Sequence, residues 1–142
     1  MKGAGSPIVV DCSFMMPLFL VDEYSDPVEK LVEQAINEEI EILSQSLFEY
    51  EIMNALLSAR KRGRIEDEDV KSSLEIFNVL PRTVLSLSNN DSFRIYQLAQ
   101  KHNLSYYDAS YLYLALREKV QLATLDKKLI RAAEDIDVTL LK

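Results

Sequence analysis

With one cysteine and one histidine in 142 residues, two kinds of site chemistry are set aside before any motif is sought. Cys12 has no partner for an internal disulfide. It lies between Asp11 and Ser13 with no His or Asn constellation in view, so it reads as a small packing residue rather than a nucleophile. His102 cannot build a His-rich zinc site. It falls at the polar end of a helical pattern, where backbone carbonyls or solvent are its expected neighbours, and it is assigned no chemistry. Glycine is scarce, and no Gly-rich loop follows a strand pattern, so the phosphate-cradling loops of nucleotide-binding folds are missing. Cations are in deficit: 16 Lys and Arg against 23 Asp and Glu give a net charge of -7. That excludes a protein that holds nucleic acid by a broad basic surface, but not one whose acids gather around a cation. The apolar runs are too short and too interrupted to span a bilayer, and no leader-like segment opens the chain. A soluble cytoplasmic protein with no membrane partner is expected.

What is present is a core: 48% of the residues are hydrophobic, enough for one domain at this length. Residues 1–6 carry no pattern and read as a disordered or vector-derived start, leaving residues 7–142 as a single domain. Short apolar runs at 8–10, 39–43, 83–87, 120–123 and 138–141 read as strands. Between them lie helical patterns at 14–21, 27–37, 44–62, 66–80, 91–102, 107–119 and 127–134. Pro17 is placed near the first turn of its helix, and Phe93, Ile95, Tyr96, Leu98 and Ala99 are assigned to the buried side of theirs. The order βααβααβααβαβ predicts an α/β fold, a three-layer sandwich in which a five-stranded parallel sheet is flanked by helices.

In such sheets ligands collect at the carboxyl ends of the strands. Asp11 ends the first strand, Asp126 follows the fourth, and Asp108 opens the helix before the fourth. Glu51 lies within the helix after the second strand, sharing a stripe with Leu47 and Ala55, where an unpartnered carboxylate is costly. Glu49, two residues earlier, points about 200° away around the helix. Each acid also has an ordinary reading. Asp108 closes a capping box with Ser105, Asp126 is an N-cap, and Glu51 is a boundary acid. Convergence of all four would create repulsion that needs a hard cation, and oxygen ligands without His or Cys favour Mg²⁺ or Mn²⁺. Such a site suits hydrolysis of phosphodiesters. Ser13 and Thr124 are placed to support it. Arg60, Lys61, Arg62 and Arg64 form the one dense basic cluster, either capping a helix C-terminus or guiding a phosphate backbone.

The segments V-V-D11-C-S13, E51-I-M-N54-A-L, Y107-D108-A-S-Y-L-Y-L-A and L-A-T124-L-D126-K-K-L resemble the successive motifs of the PIN-domain ribonucleases, most closely the VapC-type toxins of toxin–antitoxin pairs. The resemblance spans almost the whole chain after Ser6. It implies a PIN-like fold, acidic metal ligands at Asp11, Glu51, Asp108 and Asp126, and polar support from Ser13, Asn54 and Thr124. It also implies Mg²⁺- or Mn²⁺-dependent cleavage of RNA, a homodimer, and inhibition by a small antitoxin protein. Lys127 and Lys128 stand where some relatives carry another acid, which points to one tight metal and a weaker second. A haloacid-dehalogenase-like phosphatase would need an Asp at position 13. A receiver domain would need an Asp ending the third strand, where the sequence is Ser86-Leu-Ser88. The rival of a different class is a catalytically idle PIN-like module that binds protein or RNA.

Overall fold

The computed structural model describes residues 5–20, 23 and 26–141. The first strand, β1 (Ser6–Val10), leads into α1 (Cys12–Phe19) and α2 (Asp26–Ile36). The second, β2 (Ile40–Ser44), is followed by α3 (Ser46–Lys61) and α4 (Asp67–Val79). After β3 (Thr83–Val84) come α5 (Asn89–His102) and α6 (Tyr106–Glu118), then β4 (Gln121–Ala123) and α7 (Lys127–Asp135). All strand pairs are parallel, in the order β3-β2-β1-β4, with Ile8 beside Ile42, Val9 beside Leu122 and Leu43 beside Thr83.

Among the described residues four strands stand where five were expected. The segment at 138–141 makes a single parallel bridge, Leu140 to Leu122, fixed by Leu122 N–H donating to Thr139 O and Leu141 N–H donating to Leu122 O, each at 2.9 Å. Its neighbour β4 is three residues long and offers a further strand almost nothing to pair with. At the other end β1 starts at Ser6, whose N–H donates to Glu39 O. The preceding Gly5 is there because a Cβ would lie 2.6 Å from the Glu39 carbonyl carbon and the Ile40 nitrogen. Thus Ser6 of the patternless start belongs to the sheet and Gly5 packs directly before it, while residues 1–4 lie outside the described part.

The core forms where the central strands meet helices on both sides. Ile8, Val9 and Val10 are buried, as parallel strands covered on both faces must be. Phe77 joins three helices, meeting Phe19 edge-on at 6.3 Å and Phe48 at 5.7 Å. The α6 helix is buried on every side from Ala109 to Ala115, so its stripe is a full cylinder in the interior.

Two placements differ from the sequence reading. Phe93 and Tyr96 are exposed and stacked on each other at 6.0 Å. The α5 helix contributes Ile95 and Ala99 to a small cluster with Ala109 and Tyr113, and that i, i+4 pair leaves 93 and 96 on other faces. Pro17 is interior to α1, because the helix begins at Cys12 directly behind an Asp11 N-cap rather than at Phe14.

Candidate active site

The chain passes from β1 to β2 and β3 on one side of the sheet, then places β4 on the other side of β1. The switch point therefore lies between the ends of β1 and β4, and Asp11 and Thr124 flank it. Asp11 N–H donates to Ala123 O at 3.1 Å, locking the two strand ends together.

Asp11 is buried, and both carboxylate oxygens are occupied by donors. Ser13 Oγ donates to Oδ1 at 2.7 Å, Phe14 N–H to the same oxygen at 3.0 Å, and Thr124 Oγ1 to Oδ2 at 2.6 Å. The two hydroxyls in turn accept from the turn after β4, Ser13 from Leu125 N–H and Thr124 from Asp126 N–H. Ser13 and Thr124 thus link the Asp11 carboxylate to the turn after β4. Despite three donors, burial pushes the Asp11 carboxyl up to about 6, and the charge of Asp108 adds to that.

Glu51 sits half-buried on α3 and accepts from Tyr111 Oη at 2.5 Å. Burial raises its pKa first of all, and Asp108 raises it further. Glu49 faces elsewhere, paired with Arg82 at 2.8 Å. Asp108 lies in the first turn of α6, where Ser105 Oγ accepts its N–H at 3.0 Å. Burial and then Asp126 raise its pKa, opposed by the Ser105 hydroxyl and the charge of Lys128. Asp126 caps α7 by accepting from Leu129 N–H at 3.0 Å. The N-cap contact of Asp126 is therefore real, whereas the capping box read for Asp108 is only half formed, with Ser105 as the cap and the Asp108 carboxylate outside it. Both acids also feel mutual repulsion. Asp108 is the hub: its charge is felt by Asp11 and Glu51, and it feels that of Asp126.

Among the described residues no three acids are gathered tightly enough to enclose a metal ion. Asn54 is exposed one helical step beyond Glu51 and hydrogen-bonds to none of the acids; it lines a groove between α3 and α4 with Met53 and Leu57. In the basic cluster, Arg60 is held by Asp67 at 2.8 Å and Arg64 by Glu23 at 3.1 Å, leaving Lys61 and Arg62 exposed. Cys12 is partly buried beside the acids, and burial with the charge of Glu51 pushes its thiol up to about 12, where it is no nucleophile.

Sequence reasoning assigned Tyr111 to an apolar stripe and passed over its hydroxyl. The signal was its i+3 spacing from Asp108, which puts a polar tip beside the acids. Gln45 was also missed. Its buried amide donates to Ser110 Oγ at 2.7 Å, tying the start of α3 to α6 and so Glu51's helix to Asp108's.

Fold and site together define a parallel α/β domain with Asp11 buried at its topological switch point and within reach of the charge of Asp108. The chain belongs to the PIN domain family, whose profile matches residues 8–135. It is 32% identical over 126 residues to Ribonuclease VapC3 of Pyrobaculum aerophilum, covering 86% of this chain and 91% of that one. Among solved structures it resembles PAE2754 of Pyrobaculum aerophilum, with a TM-score of 0.67 and 27% identity over 90% of this chain and 86% of that one. FitAcB of Neisseria gonorrhoeae shares the fold, with a TM-score of 0.54 and 14% identity over 95% of this chain and 96% of the other. Among the described residues no helix is long and apolar enough to cross a membrane.

Proposed function

We propose that the chain is a metal-dependent endoribonuclease that hydrolyses RNA phosphodiester bonds, acting as the toxin of a type II toxin–antitoxin pair. The observation that carries the reading is electrostatic. Asp11, Glu51 and Asp108 all have raised pKa values, and each is made worse by another acid of the same group. Such an arrangement stabilises nothing on its own and favours an incoming cation. The 32% identity to a relative named a ribonuclease gives the reaction class.

The donor set fits a hard divalent ion. Oxygen ligands suit Mg²⁺ or Mn²⁺, and magnesium usually keeps several waters and takes few protein carboxylates directly, so a loose group of acids is compatible with it. Asp11, Glu51, Asp108 and Asp126 would hold the ion. It would supply charge neutralisation at the scissile phosphate and a more acidic water. Ser13 and Thr124 fix the orientation of Asp11, and Tyr111 does the same for Glu51, so neither carboxylate rotates freely when substrate arrives. The exposed Lys61 and Arg62 are offered to the RNA backbone, with Arg60 and Arg64 available once their surface ion pairs exchange.

A small antitoxin protein and a homodimeric state complete this reading, with the cytoplasm as its location. Co-expression with the neighbouring open reading frame followed by light scattering tests both assembly claims. The nuclease claim is tested on labelled RNA with Mg²⁺ or Mn²⁺: cleavage should stop with EDTA and with Asp108→Asn. Cleavage that survives both would place the activity elsewhere. A second reading, an idle module that binds protein or RNA, draws on the lack of a tight three-acid cluster among the described residues. It expects no metal-dependent cleavage at all.

A further inference from the structure

We propose that the cleft between the end of α5 and α7 is a phosphate-binding subsite for the RNA strand as it leaves the acidic edge; the inference rests on the ribonuclease reading. The cleft holds about 330 Å³ and is lined by Lys101, His102, Asn103, Lys128, Arg131 and Asp135. Three cations face one carboxylate there, in a chain whose net charge is -7.

These cations are unpaired. Among the described residues Lys101, Lys128 and Arg131 form no ion pair, whereas Arg60, Arg64, Arg82 and Arg117 each meet an acid. The nearest group to Asp135 in the cleft is the imidazole, His102 Nδ1 at 3.9 Å. The other ring nitrogen, Nε2, is buried and takes no part in the cleft surface. The sequence reading placed His102 among solvent or carbonyls; its side chain is instead 7% exposed, at the cleft wall.

Helix electrostatics explains only half of the cluster. Lys101 and His102 lie in the last turn of α5, where positive charge offsets the dipole. Lys128 lies in the first turn of α7, where the dipole opposes it and only the N-cap Asp126 offsets that. Something other than helix stability accounts for a cation there. Its position does: Lys128 is two residues beyond Asp126, and its charge reaches Asp108. Arg131 follows about 4.5 Å further along the helix axis. A strand with one phosphate at the acids would meet Lys128, then Arg131, with Lys101 and Asn103 across the cleft. An acidic centre repels RNA, and such an outboard cationic path offsets the repulsion.

The test uses fluorescein-labelled single-stranded RNA and anisotropy, on the full chain carrying Asp108→Asn so that no cleavage intervenes, over a range of salt. Lys101→Ala with Arg131→Ala should weaken binding about tenfold and flatten the salt slope by about 1.4, two cations at about 0.7 each. The charge-keeping pair Lys101→Arg with Arg131→Lys should restore both. Unchanged affinity and slope, equal loss in the charge-keeping pair, or no RNA binding by the parent would overturn the proposal. Cleavage by otherwise wild-type protein is measured separately. A chain that cuts no RNA but loses binding with the alanine pair removes the nuclease reading and leaves the cleft. A chain that cuts RNA with unchanged KM in the alanine pair removes the cleft and leaves the nuclease.

Discussion

Two buried aspartates, Asp11 and Asp91, sit in the same molecule under opposite electrostatic regimes. Asp91, near the start of α5, accepts from Tyr113 Oη at 2.6 Å, from Ser88 N–H at 2.7 Å and from Ser88 Oγ, and it meets Arg117 at 3.2 Å. The Tyr113 bond first, then Ser88 and Arg117, hold its carboxyl down at about 2. Asp11 also has three donors, yet burial leaves it at about 6, and its charged neighbours are acids. The difference is first of all desolvation, which outweighs the donors at Asp11, whereas hydrogen bonds outweigh it at Asp91 and a cation adds to them. Asp91 has Arg117 beside it and fastens α5 to α6, while Asp11 has no cation paired with it among the described residues. A carboxylate satisfied internally builds the fold; one left in want of positive charge is available to a ligand.

The contrast can be broken at either residue. The largest effect is expected at the hub: Asp108→Asn should lower RNA cleavage on the order of 10²-fold or more with little change in Tm. Asp91→Ala should do the reverse, lowering Tm by about 5 °C or more while the folded fraction keeps its activity, as thermal melts alongside the RNA assay would show. Next in size is pH dependence in EDTA. A raised carboxyl disfavours the folded state once ionised, so the Asp11 penalty is full above about pH 6 and gone below about pH 4. Asp11→Asn should therefore stabilise the metal-free protein at pH 7 by roughly 1–3 kcal/mol, with the gain vanishing near pH 4. Asp91 contributes with the opposite sign: its stabilisation is present above its ordinary value near 4 and is lost as pH falls towards 2. Smallest is Tyr111→Phe, which frees Glu51 to rotate; a few-fold loss of cleavage and about 1 kcal/mol of stability are expected from kinetics and denaturant melts.

The sequence showed the architecture where local patterns were strong. The helices on either side of Glu51 and Asp108 and the acid-bearing strand ends were legible, because periodicity and chain order need no distant information. The fifth strand was not, since whether residues 138–141 pair depends on how much of β4 is available beside them. Burial of Phe93 and Tyr96 was misjudged for a related reason: α5 packs chiefly on α6 through Ile95 and Ala99, and composition cannot show that. At the site, the four acids could be proposed from position, but not the Tyr111 hydroxyl that donates to Glu51 or the Gln45 amide that donates to Ser110, which depend on contacts across 60 and 65 residues. The imidazole of His102 was misplaced because the helix end it occupies looks polar in sequence and is covered by α7 in space.

The bond from Thr124 to Asp11 spans 113 positions, and that from Leu125 to Ser13 spans 112. During synthesis the first carboxylate therefore leaves the ribosome long before the hydroxyl that orients it. A nascent chain stalled anywhere before Thr124 leaves Oδ2 of its earliest acid without a donor and lacks Asp126 altogether. Activity of this site should consequently appear as a late, all-or-none event, and released fragments of the protein should be inert.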